Sequence, residues 1–133
     1  MLIYYLQRVQ PPVIPVLQEM CDSGENPVHI VDGWNAWFYS DLKALPKKWP
    51  GLGKNSMSVS ELWIGFLNFY AGEFDDLGTV VSIRRSQPLS KFEKMWNSPC
   101  IAIEDPFDLS HNLGAGISRR SKKTSLYLHK MLT

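Results

Sequence analysis

The spacing of apolar residues predicts two amphipathic helices in the first 75 residues. At the N-terminus, apolar residues recur at helical spacing until Pro11 and Pro12, which should end the helix. No capping residue precedes this pattern, so we expect the chain to be a piece of a larger protein. A second helix should begin at Ser58, which forms a capping-box pattern with Glu61. Its apolar stripe is expected to lie in the core: Val59, Leu62, Trp63, Phe66, Tyr70 and Phe74.

β-Branched segments in the second half of the chain predict a small β element. Residues 79–85 (TVVSIRR) and 99–105 (PCIAIED) each favour a strand, and the two could pair as the arms of a hairpin with a helical insertion. Residues 29–39 are expected to form a short strand or a helical turn, and residues 43–57 a surface loop. The predicted fold class is mainly α, of the α+β type, with one two-stranded β element.

Composition indicates a single globular domain over residues 1–133. Hydrophobic residues make up 44% of the chain, charged residues 20%, and the formal net charge is +1. These values exclude a disordered chain and a chain that binds nucleic acid through bulk charge. No apolar run approaches the roughly 20 residues that span a bilayer. Cys21 and Cys100 are expected to be free thiols, which favours a cytoplasmic protein.

The most informative motif is the triplet Asp105, Asp108 and His111, which follows the second predicted strand. Pro106 should end that strand, and Asp108 or Ser110 could cap a helix that begins near His111. A carboxylate beside His111 would fix its tautomer, and such a pair could recognise the edge of a base. On the pattern alone, however, a plain helix cap and a surface histidine are favoured. A metal site is disfavoured, because no other ligands cluster nearby.

Two further features follow this triplet. The Gly-Ala-Gly segment at residues 114–116 lacks the lysine of a phosphate-binding loop, so we expect its glycines to permit close approach of a backbone or ligand. The basic residues beyond it could form a solvated face or contact RNA phosphates, together with those at residues 84 and 85. This predicted cluster consists of Arg119, Arg120, Lys122 and Lys123.

The sequence does not predict a catalytic centre. It shows no Ser-His-Asp or Cys-His arrangement, and no Gly-Ser followed by acids at Asp-x-Asp spacing. Chemistry on phosphates needs carboxylates that hold metal ions, and no convincing set is present. We therefore predict neither a catalytic residue nor a metal ligand within this chain.

At the triplet, the sequence resembles the PAP-associated segment of noncanonical poly(A) polymerases, and most closely that of animal RNA terminal uridylyltransferases. The resemblance lies at residues 58–75, 80–85 and 101–118 and is specific at the last of these (IAIEDPFDLSHNLGAGIS); the segment would span about residues 57–118. Residues 4–19 and 31–38 also resemble the family, so nearly the whole chain is covered. The implied fold is the helical central domain of a nucleotidyltransferase, which carries a nucleotide-recognition loop and faces a polymerase-β-like catalytic domain.

The resemblance also implies which residues bind the nucleotide. By position, His111 would discriminate uracil, Asp105 and Asp108 would be the flanking acids, and Asn112 completes the motif. In some relatives the second acid is glutamate, which is one methylene longer than Asp108. Some relatives also have an arginine where this chain has Ala115, and the phosphate contact of that arginine would be missing here.

The implied activity is addition of UMP from UTP to RNA 3′ ends, with Mg²⁺ (or Mn²⁺) held by carboxylates outside this chain. The partners would be UTP, the RNA 3′ end and the missing catalytic domain, and the chain alone should be inactive. Two alternatives stay open. One is an adenylating poly(A) polymerase, which the histidine disfavours. The other is an inactive copy that binds RNA or protein, which the intact DPFDLSHN motif disfavours.

Overall fold

The computed structural model describes residues 1–22, 24–25 and 27–117. The predicted basic cluster, Arg119, Arg120, Lys122 and Lys123, lies outside these residues. The described chain combines short helices with two small sheets rather than being mainly helical. The elements are α1 (Leu2–Arg8), a 3₁₀ turn (Leu17–Glu19), β1 (Ile30–Val31), β2 (Trp34–Asn35), α2 (Leu45–Lys48), α3 (Val59–Asn68), a π-helical turn (Phe69–Glu73), β3 (Thr79–Val81), β4 (Leu89–Ser90), α4 (Lys91–Lys94) and β5 (Ala102–Ile103).

Helix α3 begins at the predicted capping box. The Ser58 hydroxyl accepts from the Glu61 amide at 3.2 Å, and the Glu61 carboxylate accepts from the Ser58 amide at 2.7 Å. The apolar stripe is only partly in the core, because α1 packs against the C-terminal part of α3. Val59 and Trp63 are 84% and 56% exposed. Further along, Phe66 and the residues after it form an aromatic cluster with α1: Tyr4, Tyr5, Phe66, Phe69, Tyr70 and Phe74.

Helix α1 is tied to the chain that leaves β3. The Gln7 side-chain amide donates to the carbonyls of Pro15 and Ile83 at 3.2 and 3.0 Å. The Arg8 guanidinium donates to the Arg85 carbonyl at 3.1 Å. Hydrogen bonds of this kind satisfy carbonyls that the short strands leave unpaired, so the helices and the sheet share one framework.

The second sheet has the order β4-β3-β5 and holds the buried core. Val80, Leu89 and Ala102 pack together there. Strands β3 and β4 pair antiparallel, whereas β3 and β5 pair parallel. The predicted hairpin between residues 79–85 and 99–105 is therefore wrong. The intervening chain supplies its own strand, β4, as the antiparallel partner of β3, and α4 then carries the chain back so that β5 enters parallel.

The first sheet is a separate hairpin within residues 29–39. Strands β1 and β2 pair antiparallel, with Ile30 opposite Asn35. The turn residues Asp32 and Gly33 both have positive φ, 47° and 86°. An Asp-Gly pair with positive φ at both positions is typical of a tight hairpin turn. The predicted two-stranded β element therefore has two counterparts in the described chain, a three-stranded sheet and this hairpin.

Lys91 fixes the segment that leads into β5. Its side chain is buried, and Nζ donates to the carbonyls of Asp76, Ser98 and Cys100 at 2.6, 2.9 and 2.7 Å. Three carbonyl acceptors satisfy the three donors of a buried ammonium. As a result, the start of α4 holds the approach to β5 in place, and β5 ends at the candidate site.

Neither cysteine is in a disulfide, as predicted: Cys21 is exposed and Cys100 is buried. Among the helices of the described residues, none is long and apolar enough to cross a membrane.

Gly65 permits the close approach of α1 to α3, which gives a stability prediction. A Cβ at Gly65 would overlap the buried Tyr5 hydroxyl, whereas a Cβ at Gly72 would meet nothing within 4 Å. We expect Gly65→Ala to lower the free energy of unfolding by about 1–3 kcal/mol through overpacking, and Gly72→Ala to leave it unchanged or raise it. Denaturant unfolding of both variants measures the difference. Equal stability of the two would disprove the contact, and Tyr5→Phe should partly rescue Gly65→Ala.

Candidate functional site

The chain that leaves β5 forms a closed loop over residues 105–111. Glu104 and Asn112 form an antiparallel bridge at its base. Just outside this bridge, the Leu113 amide donates to the Ile103 carbonyl at 2.9 Å. Just inside it, the Asp105 amide donates to the His111 carbonyl at 3.2 Å. The loop therefore begins at Asp105 and ends at His111, and these two residues lie opposite each other.

Asp105 binds both its own loop and the His111 ring. One carboxylate oxygen, Oδ1, accepts from the amides of Phe107 and Asp108 at 2.9 and 3.3 Å. The other, Oδ2, lies 3.4 Å from Nδ1 of His111. The Phe107 amide is the main reason that the pKa of Asp105 lies below its usual value, with the Asp108 amide and His111 adding to the effect against some desolvation. Asp105 is therefore a carboxylate at neutral pH.

Asp108 organises the second half of the loop without contacting the ring through a hydrogen bond. Its Oδ1 accepts from the Ser110 hydroxyl at 2.6 Å and from the Ser110 amide at 3.0 Å. These bonds, the hydroxyl first, lower the pKa of Asp108. The Asp108 carbonyl accepts from the His111 amide at 3.0 Å. Asp108 thus stabilises the turn that presents His111.

The predicted helix near His111 is wrong within the described part of the chain. Residues 109–110 and 113–116 form turns. A helix would need the backbone groups of His111 and Leu113 for its own ladder, but these groups pair with Asp105 and Ile103. Asp108 therefore caps a turn and not a helix.

Asn112 closes the loop with its side chain. Its Oδ1 accepts from the amides of Ile103 and Gly114 at 3.0 and 2.9 Å. This side-chain oxygen is already engaged in holding the loop to β5. A direct contact between Asn112 and a nucleotide stays a prediction.

A buried ion pair lies beneath the loop, and sequence reasoning missed it. The Glu104 carboxylate accepts from the Ser82 hydroxyl at 2.7 Å and from Lys94 Nζ at 2.8 Å. Lys94 Nζ also donates to the Leu109 carbonyl of the loop. The signal was present in the strand pattern, because Glu104 occupies the same inward face as the buried Ala102.

The basic residues near the loop are engaged by protein groups. Arg84 Nη1 lies 4.0 Å from the Glu104 carboxylate, and Arg84 Nη2 donates to the Asn35 carbonyl at 3.4 Å. Arg85 pairs with Glu93 at 3.5 Å. In the described residues, no group of three His, Cys, Asp or Glu side chains could hold a metal ion.

Comparison with known proteins identifies the family. Residues 58–111 match the PAP-associated family, described as Cid1 family poly(A) polymerase. The chain belongs to this family. Human terminal uridylyltransferase 4 is 57% identical to the PAP-associated chain over 120 residues, 90% of this chain and 7% of the relative. Terminal uridylyltransferase Cid1 of Schizosaccharomyces pombe is 36% identical over 135 residues, 89% of this chain and 31% of the relative.

Solved structures of Cid1 match the fold of the PAP-associated chain. Cid1 in complex with the UTP analogue UMPNPP superposes with a TM-score of 0.82 at 34% identity, over 98% of this chain and 39% of Cid1. Another Cid1 structure, from work on its UTP selectivity, holds a histidine-to-asparagine mutant bound to MgATP, with a TM-score of 0.83 at 33% identity. A third holds the short product ApU. The PAP-associated chain therefore spans well under half the length of these relatives.

Gly114 provides a test of the loop base. A Cβ at Gly114 would overlap the Ile101 carbonyl oxygen, whereas a Cβ at Gly116 would meet nothing within 4 Å. Because Ile101 contributes a backbone atom, the clash cannot be relieved by a side-chain rotation. We expect Gly114→Ala to lower stability by about 1–3 kcal/mol and to speed amide hydrogen exchange over residues 103–113, with Gly116→Ala as the matched control. Identical exchange in both variants would contradict the contact.

The buried ion pair gives a second test. The side chains of Lys94 and Glu104 are only 16% and 5% exposed, so removing the cation leaves the buried carboxylate with Ser82 and the more distant Arg84, whose Nη1 lies 4.0 Å away. We expect Lys94→Met to lower the free energy of unfolding by roughly 3–5 kcal/mol, and the exposed Lys54→Met to change it little. Denaturant unfolding compares the two. A small loss for Lys94→Met would mean that Ser82 and Arg84 are sufficient partners for Glu104.

Proposed function

We propose that this chain is the nucleotide-recognising part of an RNA terminal uridylyltransferase, which adds UMP from UTP to RNA 3′ ends. The observation that carries the proposal is the exposed His111 ring, held by Asp105 at the end of a loop that is hydrogen-bonded at its base. Similarity to terminal uridylyltransferase 4 and to Cid1 with a bound UTP analogue supports the substrate. The bound ApU product in Cid1 supports an RNA 3′ end as acceptor.

Base selection is assigned to His111. Uracil presents the O4 acceptor at the edge where adenine presents the N6 donor. An imidazole N–H therefore favours uracil, and a wrong base that covers this donor without accepting from it is discriminated against. Work on UTP selectivity in Cid1 that used a histidine mutant supports a histidine in this role. In this assignment, Asp105 and Asp108 shape the loop, and Asn112 locks it.

We assign the reaction itself to residues outside this chain. The described residues do not offer a cluster of ligands that fits a catalytic metal, so we assign Mg²⁺ (or Mn²⁺) and its carboxylates to a separate catalytic domain of the same polypeptide. This chain would contribute binding and orientation of the base, and alone it would not catalyse transfer. A cytoplasmic enzyme fits the free thiols and the similarity to a structure described as a cytoplasmic RNA terminal U-transferase.

The test uses the full-length protein that contains this segment, with a labelled RNA primer, Mg²⁺ and each nucleoside triphosphate. Extension should be strongest with UTP. His111→Ala and His111→Asn should lower the ratio of UTP to ATP incorporation at least tenfold, because alanine removes the ring N–H and the shorter asparagine no longer presents a donor at the position of the ring nitrogen. His29→Ala, which removes another exposed ring, is the matched control and should keep the ratio.

Three outcomes would revise the proposal. An unchanged ratio in His111→Ala would remove His111 from base selection. Preferred use of ATP by the natural protein would indicate an adenylating enzyme. Absence of extension with every triphosphate, together with salt-sensitive RNA binding, would indicate an inactive copy that binds RNA.

A further inference from the structure

The His111 ring contacts Asp105 through one of its two nitrogens, and much of the ring is exposed. Nδ1 lies 3.4 Å from the Asp105 carboxylate, and the His111 side chain is 57% exposed. This leaves Nε2 as the ring nitrogen that a base can reach. The question is which of the two nitrogens carries a proton when uracil binds.

The Asp105 carboxylate decides the state of Nδ1. Two backbone amides bind its Oδ1, and its lowered pKa keeps it ionised at neutral pH. An ionised carboxylate only accepts hydrogen bonds, so Nδ1 must be the donor. A neutral imidazole has one N–H, and here that N–H is at Nδ1. Its Nε2 is then an acceptor, which repels uracil O4.

The charged groups around the ring are few in the described part of the chain. Asp105 and Asp108 face it from its own loop, and each interacts electrostatically with His111. From the elements beneath the loop, Lys94 of α4 binds the Leu109 carbonyl and pairs with Glu104, which follows β5. None of these groups supplies a cation that could replace the imidazolium as a donor to O4.

We propose that His111 selects uracil as the imidazolium, with Asp105 as the positioning residue that ties selectivity to this second proton. The inference rests on the proposed function and deepens it. In the imidazolium, Nδ1–H donates to Asp105 and Nε2–H donates to uracil O4. In the neutral ring, Nε2 accepts instead, which suits the exocyclic amine of adenine or cytosine.

Selectivity should therefore depend on pH in a definite direction. Histidine changes charge between about pH 5 and 8. Loss of the second proton as pH rises removes the donor to O4, so the preference for UTP over ATP should decline. A histidine that selected uracil as a neutral Nε2–H tautomer would instead keep its preference at high pH.

Asp105→Asn separates these possibilities. The two backbone amides at Oδ1 require an oxygen there, so the asparagine must place its NH₂ group where Oδ2 faces His111. That group donates to Nδ1 and makes it an acceptor. The neutral ring then carries its proton at Nε2 and can donate to O4. This variant should prefer UTP without any dependence on pH.

The experiment is a competition between UTP and ATP in one reaction with the full-length protein and an RNA primer, from pH 6 to 8.5. Because both nucleotides share one tube, effects of pH on the chemical step cancel from the ratio of their kcat/KM values. For the natural protein we expect this ratio to fall about tenfold or more as pH rises. Asp105→Asn should give a flat ratio that favours UTP. Asp108→Asn removes an equal charge away from Nδ1, so its ratio should still fall.

Calorimetry without RNA gives an independent readout. At pH 7.5, in buffers of different ionisation enthalpy, UTP binding should take up more protons than ATP binding, by a fraction of one proton. The shared triphosphate cancels from this difference, and Asp105→Asn should abolish it. Uptake that is equal for the two nucleotides would overturn the inference.

The outcomes separate the inference from the function on which it rests. A flat ratio in the natural protein, with UTP preferred and His111→Ala defective, overturns the imidazolium but keeps the uridylyltransferase. A ratio that falls equally in Asp105→Asn overturns the role of Asp105. If UTP is not preferred at any pH, the proposed function and the inference both fail.

Discussion

A buried carboxylate has to be paired, and in this chain the pairing of Glu104 sets the position of the candidate site. Glu104 stands between β5 and the loop, with a side chain only 5% exposed. Its partners come from two other elements, Ser82 after β3 and Lys94 of α4. Because an unpaired buried charge is costly, these elements are held together, and Lys94 extends the restraint to the Leu109 carbonyl. The loop is thereby fixed from below.

A second lysine of α4, one turn before Lys94, also binds backbone carbonyls. Lys91 places a buried ammonium among three carbonyls, one shortly before β3 and two shortly before β5. Lysines at both ends of this short helix thus bind backbone carbonyls that lie outside the strands. The sheet cannot satisfy these carbonyls, because its strands are only two or three residues long. The proposed recognition of a base by one hydrogen bond would need a donor whose position is set before the base arrives. The polar network beneath the loop would supply that restraint. The buried apolar core beside it is small, with Val80, Leu89 and Ala102 at its centre.

Local signals in the sequence predicted local structure well. The capping box at Ser58 and Glu61 depends only on neighbouring residues, and it forms as predicted. The proximity of Asp105 to His111 was also predictable, although the predicted helix was not needed to produce it. Features that depend on distant partners were not predictable in this way. Parallel pairing of β3 with β5 depends on the route of the chain through β4 and α4, which strand propensity does not encode.

The two acids of the motif, Asp105 and Asp108, have similar sequence contexts but make different contacts in the loop. Asp105 and Asp108 both have a depressed pKa and both bind loop amides, and their sequence contexts look similar. The difference is in the second carboxylate oxygen. In Asp105 it faces the His111 ring, whereas both hydrogen bonds of the Asp108 carboxylate go to Ser110 through one oxygen. Sequence spacing cannot reveal this difference, because it arises from the bridge between Glu104 and Asn112 that folds the loop back on itself. Only the first acid therefore contacts a ring nitrogen of His111, and the second acid acts on the shape of the turn.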